Sequence, residues 1–491
     1  MNGFTSMAAR ISRLGFLTLW LSALGLAGCK ALGPDFAPTP MVHPQQWGEP
    51  GTVPAGTDAA QIQRWWQAFG DAQLNQLVEQ AIAHNQDLAI AREHLLQARA
   101  ERVQVASRLG PTVGVGASDE AFRSSKEVEW PRGIGRSSTY RLGVDAAWEL
   151  DILGGNRRAL EAADAQVEAV AQERHGVMVS LLAELASNYA QLRASQARLL
   201  IAEDDVANLQ ASERLTEQAL GHGLGTRQEV AQARAERESA QARLPEFQAD
   251  IVRRIHALGV LTGGFSGDLR ARLGSSKPTL PVAPKLPVVL PSQVIAARPD
   301  LRVAYLQWAA STAQIGVAMA DRFPRFNIPM SLGTTASNLS DLFSGASLAW
   351  SLALQASQTV YDGGRASAGV QAAQSRARAA GLAYERNVRV ALREVEDALT
   401  GLNAERQRQQ SLSAAVTDSH IALDQAMRLY RNGLSGYLPV LTAQRTAYQS
   451  RDSLARSQLS SVQGAIDLYK ALGSGWQPLD IAQSNNPGSS P

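Results

Sequence analysis

Three carboxylates separated by even numbers of residues are the side chains of this sequence best placed to share one chemical environment. Asp145, Glu149 and Asp151 belong to a segment in which apolar and polar residues alternate, so a β-strand would present them on one face. Neighbouring carboxylates can act as general acids and bases. Together with Arg141 they can also bias ion movement along a water-filled lumen, and ordinary solvated charges are an equally good interpretation.

The other residue types that carry chemistry do not assemble a site. The seven histidines are dispersed, and no pair combines the helical spacing of metal ligands with an acidic third partner. Residues 264–268 lack the second glycine of a nucleophile elbow. The glycine-rich residues 221–225 follow a helical run instead of a strand and lack the spacing of a dinucleotide loop. The sequence therefore predicts no enzyme activity, no metal and no non-covalent cofactor.

The N-terminal residues have the pattern of a targeting segment. A basic region with Arg10 and Arg13 precedes an apolar stretch, residues 14–27, which is short for a bilayer-spanning helix. The sequence Leu-Ala-Gly-Cys at 26–29 resembles the bacterial lipobox, in which the cysteine is diacylated before the signal is removed. We expect a signal peptide over 1–28.

Cys29 is the only cysteine of the chain, and it stands at the expected cleavage position. We expect it to carry a diacylglycerol and an N-acyl lipid. Each buried acyl CH₂ contributes about 0.8 kcal/mol, so several chains would anchor the protein stably in outer-membrane lipid. Lys30 resembles the residue that directs such lipoproteins to the outer membrane. An ordinary signal peptide followed by an accidental cysteine is the alternative.

An internal repeat organises the rest of the chain. Short motifs recur in the same order at separations of 213, 213, 209 and 210 residues. A near-constant separation indicates a duplicated structural unit. The paired motifs are Asn85–Leu88 with Arg298–Leu301, Pro111 with Pro324, Gly154–Gly155 with Gly363–Gly364, and Gly223–Leu224 with Gly433–Leu434.

Each copy changes from helical periodicity to strand alternation and back to a long helical run. We expect a first copy over 61–276 and a second over 296–472, joined by a proline-rich linker at 277–295. A lipidated, proline-rich lead-in covers 29–60, and a C-terminal segment with a disordered tail covers 473–491. Predicted strands are at about 111–123, 138–151, 325–337 and 346–360, and predicted long helices are at about 156–221, 226–262, 365–432 and 437–472.

The first long helix of each copy is too long for a compact domain. Residues 156–221 and 365–432 contain no proline, and at ~1.5 Å per residue each helix is on the order of 100 Å long. Such helices need a coiled-coil or tubular arrangement. A filament-like rod is the simplest alternative, but the strands argue against it.

The predicted strands have one apolar face. The residues on that face are Leu142, Val144 and Trp148 in one strand and Leu348, Trp350 and Leu352 in another. Segments of roughly ten residues with this alternation suit tilted transmembrane strands whose apolar side faces lipid, although a soluble antiparallel sheet alternates identically. We expect a bulge at Pro329, because proline cannot donate to the ladder.

Four strands are too few to close a sheet on itself, and open edges are not tolerated in hydrocarbon. The chain must therefore oligomerise, as a dimer with eight strands or a trimer with twelve. The long helices of all protomers would then form a tube, and the polar strand face would line a lumen. A net charge of +2 gives no reason to expect a nucleic-acid partner.

Several separated motifs resemble the TolC-type outer-membrane channels of tripartite efflux pumps, specifically the lipoprotein branch similar to OprM. The resemblance implies an α+β homotrimer in which a twelve-stranded transmembrane barrel continues into a long periplasmic helical barrel, with an equatorial segment near the C-terminus. It also implies a periplasmic adaptor and an inner-membrane RND-type transporter as partners, in a Gram-negative outer membrane. The motifs are Trp65–Asp71, Asn85–Leu88, Trp148–Gly154, Ala297–Arg302, Asp362–Arg365 and Leu468–Trp476.

The same resemblance implies a periplasmic aperture formed by a leucine and, four residues later, an aspartate. The matching positions are Leu438 and Thr442, so the acidic residue is missing. The implied function is passive, gated export of small toxic compounds or drugs. A duct for polypeptide secretion is one alternative, and a non-conducting periplasmic coiled-coil lipoprotein is another.

Overall fold

The computed structural model of the chain describes residues 30–38, 41, 44, 47–48, 62–123, 125, 127, 136–274, 281–284 and 291–476. The expected signal peptide and Cys29 lie outside these residues, as does much of the expected lead-in and tail. None of the described helices combines the length and apolarity needed to cross a bilayer.

The first copy contains two strands between helical segments. A short 3₁₀ turn, Trp65–Phe69, precedes its longer elements. These are α1 (Ala72–His84), α2 (Gln86–Ala106), β1 (Thr112–Arg123), β2 (Arg136–Leu150), α3 (Gly155–Gly221), α4 (Arg227–Gln241), α5 (Leu244–Leu261) and α6 (Ser266–Gly274).

The second copy has a similar order, but its second strand is divided in two, its last helix is unbroken, and no described helix corresponds to α6. Its elements are α7 (Pro291–Ala297), α8 (Pro299–Ala320), β3 (Arg325–Ala336), β4 (Leu348–Leu352), β5 (Gln355–Ser357), α9 (Arg365–Arg431) and α10 (Tyr437–Ala471).

Two elements differ from the sequence-based expectation. The run 226–262 is not one helix, because α4 ends at Gln241 and α5 begins at Leu244. Pro245 lies in the first turn of α5, where a missing N–H costs little, whereas within a continuous helix it would remove a hydrogen bond. The expected strand at 346–360 is shorter and divided into β4 and β5.

Chain contacts divide the protein into two units. The first unit comprises Met1–Thr39, Leu96–Ala169 and Tyr305–Ala383. The second comprises Pro40–Leu95, Val170–Ala304 and Tyr384–Pro491. All five described strands belong to the first unit, and both hairpin turns between long helices belong to the second.

The strands of the first unit form one antiparallel sheet in the order β1-β2-β3-β4, with β5 also paired to β3. In the middle of the sheet, its register places a row of apolar residues next to a row of polar or small residues. One row contains Val115, Val144, Leu332 and Trp350, and the adjacent row contains Gly114, Asp145, Ser331 and Ser351.

The expected bulge at Pro329 is wrong. Pro329 pairs with Ala147 in an uninterrupted register with β2. On the other side, its carbonyl accepts a hydrogen bond from the Ala353 N–H at 3.2 Å, while proline has no N–H to return. The missing donor explains why pairing stops between β4 and β5 without an inserted residue.

An extended N-terminal segment is fixed to the first unit by Arg158. This guanidinium donates to the carbonyls of Leu32 and Gly33 at 3.0 and 3.2 Å and pairs with Asp35 at 2.6 Å. The Leu32 N–H donates to the carbonyl of Leu153 at 3.0 Å. The first described residues are therefore held where β2 leads into α3.

The core of the second unit explains the Trp65–Asp71 motif. The Trp65 ring is stacked on Tyr469 with centroids 5.2 Å apart. Asp71 accepts hydrogen bonds from the first turn of α1 and a 2.6 Å bond from the Tyr189 hydroxyl. Burial raises the pKa of Tyr189, so this phenol remains a donor and fixes α1 against α3.

The repeated motif before α2 and α8 joins helices end to end within the second unit. Asn85 precedes α2, and its side-chain amide donates to the carbonyl of Leu261 at the end of α5, at 3.0 Å. Arg298 precedes α8 and donates to the carbonyl of Ala471 at the end of α10, at 2.8 Å. The last carbonyls of a helix lack intrahelical donors, so each motif residue satisfies one of them.

Candidate aperture and channel wall

The turn between α3 and α4 is closed by a backbone motif. The Leu224 N–H donates to the Ala219 carbonyl at 2.9 Å, and Gly223 has a φ of 74°, which favours glycine. Thr226 and Glu229 then cap α4 reciprocally. These bonds leave Leu224 outside the helices, with 85% of its surface exposed.

The turn between α9 and α10 repeats the same geometry. The Leu434 N–H donates to the Leu429 carbonyl at 2.9 Å, and Gly433 has a φ of 68°. Leu434 is 73% exposed. Each copy thus presents one exposed apolar side chain at its hairpin turn.

Leu438 and Thr442 lie on one face of the first turns of α10. Leu438 is 62% exposed and Thr442 is also exposed, whereas Tyr437 and Leu441 are buried against α4 and the end of α9. The Thr442 hydroxyl donates to the Leu438 carbonyl at 3.0 Å. Burial raises the pKa of Tyr437 on the packed side of α10 to about 12. On the exposed side, neither Leu438 nor Thr442 carries a charge.

Polar contacts hold α10 against the hairpin of the first copy. The Tyr437 N–H donates to Glu229 at 3.2 Å, and Gln444 donates to Ser212 at 2.6 Å in a buried contact. The guanidinium of Arg445 pairs with Glu236 at 2.9 Å. Sequence reasoning missed these bonds, because each joins residues more than 200 positions apart.

The strand residues named from the sequence occupy two faces of the sheet. Arg141, Asp145 and Glu149 alternate along β2 with the apolar residues of the same strand. The apolar side chains are solvent-exposed in the single chain; they are Leu142, Val144, Trp148, Leu348, Trp350 and Leu352.

Asp151 does not belong to the strand face where the sequence placed it. It follows the end of β2, and its carboxylate accepts hydrogen bonds from the Asn156 and Arg157 N–H groups at 3.0 and 2.9 Å. Asp362 does the same at the start of α9, accepting from the Gly364 and Ala366 N–H groups at 2.8 Å each. Both aspartates precede a glycine pair, and an acceptor side chain just before a helix is typical of helix capping. The sequence interpretation overlooked this signal because Asp151 also fits the alternation of the strand.

Among the described residues, no group of three or more His, Cys, Asp or Glu could hold a metal ion. Near the first hairpin turn, Glu229 caps α4 and Glu213 of α3 pairs with Arg234 and Arg237 of α4. The sheet and the hairpin turns can therefore influence a passing solute through their charge and their shape.

A family model described as "Outer membrane efflux protein" matches residues 77–264 and 290–474, one match on each copy of the repeat. The chain belongs to this family. Membership confirms the resemblance read from the motifs and establishes the chain as an outer-membrane component of efflux.

Relatives of this efflux protein align along almost its whole length. The cation efflux system protein CusC of Escherichia coli O6:H1 is 31% identical over 465 residues, covering 93% of this chain and 97% of CusC. The solvent efflux pump outer membrane protein SrpC of Pseudomonas putida is 30% identical over 468 residues, covering 94% and 98%.

A solved structure confirms the predicted fold class of this efflux protein. The outer-membrane channel OprN superposes with a TM-score of 0.85 at 36% sequence identity, covering 91% of this chain and all of the OprN chain. Helices of this length beside a small antiparallel sheet are therefore the fold of an outer-membrane channel.

Proposed function

We propose that three copies of this chain form a passive exit duct that conducts small toxic compounds from the periplasm to the outside. The observation that supports this most is the register of the sheet, which places an uncovered apolar row beside a polar row. A sheet with these two faces suits a wall between lipid and water.

The two sheet edges require several subunits, and the likeness to trimeric outer-membrane channels supports three. β1 and β4 end the strand order within the chain, and unpaired edges are not stable in hydrocarbon. Pairing β1 of one copy with β4 and β5 of the next closes a ring of twelve strands from three copies. Leu142, Val144 and Trp350 then face lipid, whereas Arg141, Asp145 and Glu149 face the lumen.

Reconstitution into planar bilayers tests this proposal. The purified full-length protein is expected to run as a trimer in detergent and to give small or gated currents. A non-conducting scaffold predicts no current at any voltage. A monomer in detergent, with its sheet covered by its own residues, would contradict the shared wall.

We also propose that Cys29 carries the lipid anchor. The support is the lipobox-like sequence, together with segment 30–38, which directly follows Cys29 and is held by hydrogen bonds from Arg158 where β2 leads into α3. Mass spectrometry of the N-terminal peptide should show a diacylglycerol and an N-acyl chain on Cys29, whereas an unmodified thiol would disprove the anchor.

The partners that we propose are a periplasmic adaptor and an inner-membrane transporter of the RND type. Relatives are named as components of cation and solvent efflux, which supports a role in a larger pump and a cargo chosen elsewhere. In this chain, the exposed Leu224 and Leu434 provide apolar contacts for the adaptor.

Changing both turn leucines to serine is expected to weaken adaptor binding by about 150-fold or more, because each buried leucine side chain contributes roughly 1.5–3 kcal/mol. Pull-down or surface-plasmon measurements with the cognate adaptor would measure the loss. Asn432→Ser is the control, since it changes an exposed polar residue in the same turn. Equal binding by the double variant and the control would place the adaptor elsewhere.

We propose that Leu438 and Thr442 form the narrowest part of the periplasmic aperture. Because Thr442 is uncharged, Thr442→Asp is expected to add three carboxylates to the trimer, raise cation selectivity and introduce block by millimolar divalent cations. Reversal potentials and Mg²⁺ titrations in planar bilayers measure both effects. Thr442→Asn is the matched control, and identical selectivity in the two variants would exclude Thr442 from the aperture.

A further inference from the structure

The two helical hairpins have separate apolar clusters near their turns. In the first hairpin, Val206 and Leu209 of α3 pack with Ala240 of α4. The second cluster joins α9 to α10, and among the described residues its single member from the first hairpin is Ala233 of α4. Its other members are Tyr437, Val440, Leu441, Ala426, Met427 and Tyr430. Apolar burial therefore holds each hairpin together and contributes little to the contact between them.

Polar side chains join the first hairpin to the aperture end of α10. Gln444 is 4% exposed, and its amide nitrogen donates to the hydroxyl of Ser212 on α3 at 2.6 Å. The Oε1 atom of Gln444 and the hydroxyl of Tyr437 are buried without a hydrogen-bond partner among the described residues. Tyr437 is 1% exposed, and its hydroxyl lies beside Ser212. Unpaired buried polar atoms weaken the packing that buries them, because water would satisfy both.

The ion pairs along the same stretch of α10 are in contact with solvent. Arg445 pairs with Glu236 of α4, and the arginine side chain is 56% exposed. Arg451 pairs with Asp204 of α3, and the aspartate side chain is 52% exposed. Solvent and salt screen such pairs, so they add little to the stability of the contact. Residues 437–451 are therefore attached to the first hairpin by a weak polar contact.

Asp452 forms a stronger contact at the next position of α10. Its side chain is 4% exposed, and its carboxylate accepts hydrogen bonds from Arg198 of α3 at 2.6 Å and from Arg456 at 2.8 Å. The guanidinium of Arg198 also lies 4.8 Å from the ring centroid of Phe247 on α5. Burial opposes the charge of Asp452, but the two guanidiniums lower its pKa below the ordinary value. Charge-assisted hydrogen bonds of this kind are about twice as strong as neutral ones.

Beyond Asp452, α10 enters the main apolar core of the second unit. Val462 and Tyr469 are buried there, in a cluster that also contains Leu181 and Leu185 of α3. The attachment of α10 to α3 thus becomes stronger with distance from the hairpin turn, first through a buried ion pair and then through apolar packing.

We propose that residues 437–451 of α10 separate from the first hairpin while Asp452 and the residues beyond it remain attached. Asp452 is then the positioning residue that limits the separating segment. Separation gives water to the unpaired atoms of Gln444 and Tyr437, so it loses little there. Separation beyond Asp452 would also lose the charge-assisted bond to Arg198.

Two buried alanines allow the separation to be measured on either side of Asp452. Ala233 packs against α10, whereas Ala455 is 5% exposed and lies about three helical turns beyond Gln444, on the same face of α10. Labelling of the full-length trimer by a water-soluble maleimide should be at least about 10-fold faster in Ala233→Cys than in Ala455→Cys. The unsubstituted protein, with Cys29 as its only cysteine, measures the background. Equal rates, or faster labelling in Ala455→Cys, would overturn the proposal.

Tyr437→Phe tests the weak side of the contact, because it removes the unpaired hydroxyl and keeps the ring. We expect it to slow the labelling of Ala233→Cys by roughly 10-fold, the order of magnitude for relieving one unpaired buried polar group. The labelling of Ala455→Cys should stay the same. Unchanged or faster labelling of Ala233→Cys would mean that the hydroxyl supports the contact, and the proposal would fail.

Asp452→Asn tests the strong side, because it keeps the shape of the side chain and removes its charge. We expect the labelling of Ala455→Cys to rise at least about 10-fold, with little change in Ala233→Cys. Arg198→Gln breaks the same contact from α3 and should act alike, so it serves where Asp452→Asn does not assemble. Arg456→Gln is the matched control, since Arg456 is 58% exposed and belongs to α10 itself. Unchanged labelling of Ala455→Cys in both Asp452→Asn and Arg198→Gln would contradict the role of Asp452.

Bilayer currents then connect the separation with the aperture, a step that rests on the proposed function because the separating segment contains Leu438 and Thr442. Tyr437→Phe is expected to open less often than the unmodified channel. If labelling follows the expected pattern and opening does not change, the segment separates without controlling the aperture. If no variant conducts, the proposed function fails while the labelling result still stands.

Discussion

Leu332→Arg is expected to destabilise the assembled protein by about 2–4 kcal/mol for each chain, the cost of an arginine on the lipid face of a barrel. Leu332 lies in the central strand β3, paired with Val144 on one side and Trp350 on the other. Its row is uniformly apolar, so no neighbour can pair with the new charge. We expect heat-resistant trimer to be lost almost completely in gel and thermal-unfolding measurements.

Ser331→Arg is the control for this prediction. Ser331 is adjacent in sequence, but it lies in the row of Asp145, and its hydroxyl is 2.8 Å from that of Ser351. An arginine there would extend into water, so trimer yield and unfolding temperature should change little. If the two variants were equally damaging, or if Ser331→Arg were worse, the assignment of the two faces would be wrong.

Arg298→Ala is expected to destabilise the second unit by about 1–3 kcal/mol, the range for leaving a buried hydrogen-bond acceptor without its charged donor. Arg298 is only 10% exposed and pairs with Asp300 and Glu394. It also supplies the hydrogen bond to the carbonyl of Ala471. Burial disfavours its charge, yet the two carboxylates outweigh that effect and raise its pKa. Chemical unfolding monitored by circular dichroism would measure the loss.

Arg302→Ala provides the comparison on the same helix, because Arg302 is exposed. Its removal should cost at most about 1 kcal/mol. Arg298→Lys keeps the charge but lacks the planar fork, so it should recover only part of the stability. Equal effects of the alanine changes at 298 and 302 would mean that the joint between α8 and α10 contributes little.

Local and periodic features of the channel were predictable from the sequence. Side chains alternate across a strand with a period of two, so the faces containing Leu142 and Arg141 follow from residue order alone. Long runs without proline predicted α3 and α9 to within a few residues. The turn glycines Gly223 and Gly433 marked helix ends, because positive φ is cheap only for glycine.

The expectations that were wrong concerned Pro329, Asp151 and Pro245, where the outcome depends on backbone hydrogen bonds. Pro329 keeps its register because only one neighbouring strand needs the missing N–H. Asp151 lies beyond the end of β2 because its carboxylate accepts hydrogen bonds from backbone N–H groups at the start of α3. Pro245 divides α4 from α5, a break that the composition of the helical run did not reveal.

The sequence by itself determined the family, the duplication, the order of strands and helices and the two faces of the strands, because these follow from spacing along the chain. Only the tertiary structure decided how the two copies differ where the end of one helix meets the start of another. Asn85 and Arg298 occupy equivalent places, yet one uses an amide and the other a buried cation to satisfy a carbonyl more than 170 residues away. Such contacts depend on burial and three-dimensional proximity, which no local period encodes.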